Sequence, residues 1–197
     1  MMIRFLDLKT VTDSQISLWE SWLAPEKRQR IDRLPQKKRL QSLCADALAR
    51  QMLGEWLHIP PEDVFFTYDV NGKPGTRGAH FNVSHSADVV CCAVSEVNVG
   101  VDIEQIRSAP HRLQKAFGQE QQPNEAFFRL WTKREALAKC RGDSLGVLLR
   151  GAEESAGYCF SYPEAPEGYI CCVCEKNELK KSLCLKAEGF FSYSVIQ

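Results

Sequence analysis

The sequence lacks an excess of either charge: 25 Lys and Arg stand against 25 Asp and Glu over 197 residues. A protein that coats nucleic acid carries a basic surplus, so no nucleic-acid partner is expected. No run approaches the roughly 20 apolar residues needed to span a bilayer, so no membrane partner is expected either. The opening MMIRFLDLKTVTDSQ has no apolar stretch leading to a small-residue cleavage site. A secretory leader is therefore not expected, and the cytoplasm is the expected compartment. Glycine (12) and proline (9) are too few for low-complexity linkers, and no fixed-period repeat is visible. No G-x-S-x-G elbow is present, which argues against a serine hydrolase of that type. No paired C-x2-C…C-x2-C spacing exists, which argues against a zinc ribbon.

What remains is ordinary globular composition, 44% hydrophobic and 25% charged, enough for one domain of good size or two small lobes. Nine cysteines are many, but most lie in apolar runs such as VVCCAV and YICCVC. There they read as small buried hydrophobes with reduced thiols.

The patterning predicts a strand at 3–8, then a helix opened by Thr12 and Gln15 at capping-box spacing. A short basic helix follows from Pro25 to Leu34, cut at Pro35. The longest helical periodicity runs from Gln36 to Leu57, weakened near its end by Gly54. VFFTYD (64–69), ahead of the turn dipeptide Asn71-Gly72, reads as a strand, as do HFNVSHS, DVVCCAVS and VNVGVDIE. Pro123 suits a helix start, and that helix runs through AFFRLWTKREALAKC to Gly142. YCFSY, YICCVC, SLCLK and FFSYSV read as further strands. The layout is α+β, with helices on antiparallel strands and two halves, 1–99 and 100–197, of similar plan.

Three segments carry chemistry. In VNVGVDIE, Asp102 and Glu104 are two apart on a strand and share a face. They are either a solvated outer face or a pair whose repulsion a divalent cation would relieve. In the 127–142 helix, Glu135 and Lys139 are four apart and share a helix face. They are either a surface ion pair or a third metal carboxylate beside a cation for an anionic ligand. In HFNVSHS, Ser84, His85 and Ser86 are short polar donors that can serve a phosphate; Ser84 and His85 point to opposite faces, so they do not form a Ser-His pair, and a lone His here is otherwise structural. Residues 26–41 hold seven basic and two acidic side chains, a local surplus of five in a neutral chain. Such a patch suits phosphates or an acidic protein face. Lys73 is held beside a tight turn in NGKPG.

The strings PEKR (25–28), GKP (72–74), FNVSHS (81–86), VGVDIE (99–104) and LWTKREALAK (130–139) stand in one order over 25–142. In that order the chain resembles the 4′-phosphopantetheinyl transferases, in their larger Sfp-type branch. The resemblance implies two similar halves related by a pseudo-twofold, with coenzyme A between them. It also implies Mg2+-dependent transfer of the phosphopantetheine arm to a serine of an apo acyl or peptidyl carrier protein. By the same resemblance Asp102, Glu104 and Glu135 hold the metal, and Lys139 reaches the pyrophosphate. Glu135, Lys139 and His85 form the catalytic set. Lys27, Arg30, Ser42, Lys73, Ser84, His85 and Lys139 contact coenzyme A. The proton acceptor is Glu120 or a metal-bound water. A monomer is expected. A metal-dependent pyrophosphate hydrolase and a non-catalytic coenzyme A or carrier-binding module are the alternatives.

Overall fold

The computed structural model describes residues 1–69, 72–120, 122–143 and 155–177. Strand β1 (Met2–Asp7) opens the chain. Thr12 and Gln15 then close the expected capping box: Gln15 N donates to Thr12 Oγ1 at 3.3 Å and Thr12 N to Gln15 Oε1 at 2.9 Å. This satisfies two otherwise orphaned amides and starts α1 (Asp13–Ser21). Helix α2 (Pro25–Asp32) begins on the proline whose missing N–H costs nothing there. Helix α3 (Gln36–Leu57) fills the whole predicted span and buries Leu43, Cys44, Ala47 and Leu48. Gly54 has a packing role in α3, since a Cβ there would sit 2.7 Å from the Ile59 carbonyl oxygen. The glycine lets the chain fold back over the helix end.

The strand predicted at 64–69 contracts to β2 (Thr67–Tyr68), paired with β3 (Pro74–Gly75). Val64 and Phe66 do alternate into the core and Phe65 does point out. Among the described residues, however, no strand pairs with 64–66, so the alternation there marks an extended segment. Strands β4 (His80–Ser86) and β5 (Val89–Ser95) complete a sheet of order β1-β5-β4. Strand β5 is central and buried at every position, which is why its sequence is a continuous apolar run. Its even residues, Val90, Cys92 and Val94, join the core under α1–α3. Its odd residues, Val89, Cys91 and Ala93, pack on Val99, Val101 and Ile103 of the next strand. Each buried Val or Ile contributes roughly 1.5–3 kcal/mol.

Strand β6 (Val99–Gln105) leads to α4 (His111–Ala116) and α5 (Asn124–Arg141), then β7 (Tyr158–Ser161) and β8 (Tyr169–Lys176). Helix α4 has no counterpart among the predicted elements, because its short length leaves no periodicity to detect. The second sheet has order β6-β8-β7. Both sheets therefore place their first strand beside their third, with the helices inserted between first and second. The class is α+β, helices on antiparallel sheets. The expected junction after residue 99 falls one residue into β6. SLCLK (182–186), with Cys184, and FFSYSV (190–195) lie outside the described residues.

Eight cysteines are described, all free, and only Cys159 among them is exposed. Burial pushes the Cys44 and Cys172 thiols up to about 12, so they stay protonated.

Helix α5 rides directly on β6. A Cβ at Gly100 would lie 2.1 Å from the Ala136 carbonyl oxygen and 2.4 Å from the Cys140 amide nitrogen. Only glycine admits that approach, and it sets the height of Glu135 and Lys139 above the strand.

Candidate functional site

Strands β4 and β6 run side by side in the same direction, joined by side chains. Asn82 Oδ1 accepts from Val101 N at 2.9 Å, Ser84 Oγ from Ile103 N at 3.4 Å, and Ser86 Oγ from Gln105 N at 3.1 Å. The two serine hydroxyls then donate onward, Ser84 to Asp102 Oδ1 and Ser86 to Glu104 Oε2, each at 2.8 Å.

Lys139 closes the same group from α5. Its Nζ donates to Asp102 Oδ1 at 2.7 Å, Ser84 Oγ at 2.9 Å and the Val101 carbonyl at 3.1 Å. All three ammonium donors are thereby engaged. Asp102 is 5% exposed, so β6 is covered on both faces and the solvated-face reading fails for this residue. Its Oδ2 is buried with no hydrogen-bond partner. Burial raises the Asp102 pKa, against the pull of Lys139 and Ser84.

Glu135 is half-buried on α5. Burial, then the negative charges of Asp102 and Glu104, pushes its pKa up to about 7, against Lys139. Glu104 takes both of its donors, Ser86 and Arg107 Nη1 (2.9 Å), on Oε2. His85 is exposed on the opposite face of β4 from Ser84. Crowding by protein, then the Lys139 ammonium, lowers its pKa, so the ring is neutral near pH 7.

Lys73 arrives from the β2–β3 hairpin. Its amide donates to Asp69 Oδ1 at 2.8 Å, and its ammonium crosses to the Lys139 carbonyl at 2.6 Å. Beside it a groove of about 690 Å³ opens between the hairpin and the start of β6, lined by Tyr68, Lys73, Pro74, His80, Glu96 and Asn98. Ser84, Asp102 and Lys139 thus touch directly. Lys73 is one bond away, and Glu104, Glu135 and His85 are coupled through charge.

The remaining expected contacts lie elsewhere. Lys27 pairs with the buried Asp46, which also takes Arg50 Nε at 2.7 Å. Both cations lie over the Phe66 ring, 5.6 and 4.9 Å from its centroid. Arg30 is exposed on α2, and Ser42 is half-buried on α3. No hydrogen bond or ion pair joins these three to the carboxylates among the described residues. The basic stretch does abut the turn after S-H-S. Gln41 Nε2 donates to the Ala87 carbonyl at 2.8 Å, and Lys37 pairs with Asp88 at 2.9 Å. Glu120 is exposed in the turn between α4 and α5.

A family model described as 4′-phosphopantetheinyl transferase, N-terminal, matches residues 10–97. The chain is 33% identical over 123 residues to 4′-phosphopantetheinyl transferase psf-1 of Bacillus pumilus, covering 55% of this chain and 53% of the relative. It is 29% identical over 164 residues to the transferase gsp of Aneurinibacillus migulanus, covering 70% and 69%. It is 31% identical over 158 residues to the transferase HetI of Nostoc, covering 69% and 66%. The chain belongs to the 4′-phosphopantetheinyl transferase family. The matches span from about half to about two thirds of these transferases' own lengths.

Among the described residues no group of three or more His, Cys, Asp or Glu side chains is placed to hold a metal ion, Asp102, Glu104 and Glu135 included. Mg2+ does not need a finished cage, because it keeps several waters and takes few protein carboxylates. The buried, unpartnered Oδ2 of Asp102 beside the raised Glu135 fits a hard cation with oxygen ligands. Sequence reasoning missed Asn82, and it expected Ser86 as a donor to phosphate rather than as a partner of Glu104. The signal was present: N-x-S-x-S repeats with the same two-residue period as D-x-E, so the two patterns can face each other in register. Asp46 was also missed, because its partners are far apart in the sequence.

Proposed function

We propose that this chain transfers the 4′-phosphopantetheine arm of coenzyme A to a serine of an apo acyl or peptidyl carrier protein, with Mg2+, releasing adenosine 3′,5′-bisphosphate. The observation that carries this reading is the buried Asp102 carboxylate, shared between Lys139 and Ser84 on one oxygen and open on the other.

Asp102, Glu104 and Glu135 would hold the ion. When bound, it draws negative charge off the pyrophosphate oxygens. Lys139 contacts the pyrophosphate by exchanging one of its three bonds, and the 3.1 Å bond to the Val101 carbonyl is the longest. Neutral His85 offers a ring N–H rather than a second fixed cation. Lys73 and Ser84 add donors beside it. Lys27 and Arg30 meet the 3′-phosphate, with Ser42 nearby on α3. Asp46 holds Lys27 at a defined place, and its second cation, Arg50, keeps that corner net positive.

The carrier serine gives its hydroxyl proton to Glu120 or to water as its oxygen bonds to the phosphorus bearing the pantetheine arm; the bridging P–O bond breaks, and the bisphosphate leaves with the electron pair. The nucleophile belongs to the carrier, so the chain needs none of its own. Exposed Arg30, Arg33 and Lys38 offer an acidic carrier a docking face. The protein acts as a cytoplasmic monomer in this reading.

The test is to incubate the protein with coenzyme A, Mg2+ and an apo carrier protein, then weigh the carrier intact. Gain of one phosphopantetheine arm is expected. Coenzyme A cleavage without carrier modification would make the protein a pyrophosphate hydrolase. Binding without turnover would make it a non-catalytic module.

A further inference from the structure

Each carboxylate of β6 has its protein donors on one oxygen. Asp102 receives Ser84 and Lys139 on Oδ1, leaving Oδ2 buried and unpartnered. Glu104 receives Ser86 and Arg107 on Oε2, and no donor among the described residues reaches Oε1. The repetition follows from register. Ser84 and Ser86 are two apart on β4, Asp102 and Glu104 are two apart on β6, and the strands run parallel. Each hydroxyl accepts from the amide one residue beyond the carboxylate it serves, at Ile103 and Gln105. A hydroxyl that accepts a backbone N–H has its own hydrogen aimed by that bond, so its donation has a set direction.

We propose that Ser86 is a positioning residue for the cation: anchored on the Gln105 amide, it fixes Glu104 by Oε2 and so presents Oε1 to the ion. The inference rests on Asp102, Glu104 and Glu135 being the metal carboxylates. It adds a residue from the other half of the chain that touches neither metal nor substrate. Residues that orient metal ligands from behind typically change affinity by about 10–100-fold when lost. Ser95 provides the comparison. Its hydroxyl also crosses between the sheets to a carboxylate, Glu175 Oε1 at 2.6 Å, but not to one of the three.

The experiment measures Mn2+ affinity of the full chain without coenzyme A, by the loss of free-ion electron paramagnetic resonance signal, together with melting temperature. Ser86→Ala is expected to bind Mn2+ about tenfold more weakly. Ser86→Thr, which restores the hydroxyl, is expected to bind like the parent. Ser86→Cys keeps the size but donates weakly, so it is expected to follow the alanine variant and covers the case in which Ser86→Ala does not fold. Ser95→Ala loses a bond between the sheets and is expected to keep parental Mn2+ affinity. Parental affinity in folded Ser86→Ala or Ser86→Cys overturns the role of Ser86 while leaving the carboxylates as ligands. Equal losses in the Ser86 and Ser95 alanine variants overturn it as well, because the hydroxyls would then only join the sheets. No Mn2+ binding by the parent overturns the metal reading itself, and this proposal with it.

Discussion

Replacing Gly100 by alanine adds one carbon where α5 leaves no room for it. The new Cβ would lie 2.1 Å from the Ala136 carbonyl oxygen and 2.4 Å from the Cys140 amide, whereas ordinary contact begins at 3.4 Å. The shortfall is about 1.3 Å against the oxygen, and both obstacles are helix backbone, which cannot rotate aside as a side chain can. The helix must lift or tilt. Overpacking of this kind costs about 1–3 kcal/mol. At about 2–4 °C per kcal/mol for a chain of this size, the melting temperature should fall by roughly 2–12 °C. The larger consequence is positional. Lys139 and Glu135 ride on α5, and the Lys139 bonds of 2.7–3.1 Å do not survive a displacement of an ångström. Misplacement on that scale costs about 100-fold in rate. The assay is the initial rate of carrier mass gain at saturating coenzyme A, read beside a thermal melt. Gly75→Ala is the stability control, because its Cβ would meet only Thr67 Oγ1 at an ordinary 3.5 Å. Parental rate and melting temperature in Gly100→Ala would refute the claim that this contact sets the height of the helix.

Asp102→Ala or Glu135→Ala should abolish transfer while the far-ultraviolet circular dichroism stays parental; a near-normal rate in either would remove that residue from the site. Lys27→Ala and Arg30→Ala should raise KM for coenzyme A more than they lower kcat, since the proposed reading puts them on a part of the molecule that does not change during reaction; an equal loss at saturation would contradict this. Asp46→Asn leaves Lys27 and Arg50 facing each other without a counter-charge and should cost about 3–5 kcal/mol in chemical denaturation; a loss below about 1 kcal/mol would mean solvent screens the group. Glu135 has a folded pKa of about 7 against an ordinary 4.5, so the metal-free folded state binds a proton that the unfolded chain has released. Its contribution to metal-free stability is therefore full below pH 4.5 and lost as pH rises to about 7. Because Mg2+ needs the ionised carboxylate, the rise in melting temperature on adding Mg2+ should be larger at pH 8 than at pH 6, and a pH-independent rise would exclude Glu135 as a ligand.

Much of the fold follows from local chemistry that a sequence displays. The Thr12–Gln15 box, the Pro25 and Pro123 starts, the α3 periodicity and the Gly142 stop all act within a few residues. The unbroken apolar β5 likewise announces a strand covered on both faces. The short hairpin at 67–75 was harder, because alternation at 64–66 records which side chains enter the core and not whether a strand pairs alongside. Of the site, the acidic and basic groups were legible as spaced pairs. Their company was not. Whether Asp102 faces water or a helix depends on α5, some 30 residues later, and on Gly100 letting that helix close. The Lys73 bond to the Lys139 carbonyl joins residues 66 apart and has no local signature.

The sharing of one ammonium among Ser84, Asp102 and the Val101 carbonyl has a genetic consequence. Substitutions at Ser84, Asp102 and Lys139 will be epistatic, because whichever is lost first strands the other two, and removing a second then costs little more. A scan of single changes would assign each of the three the whole penalty and overstate their combined worth. A pairwise cycle between Ser84 and Lys139 would recover the shared portion. It would also show two stretches of chain 55 residues apart evolving as a single unit.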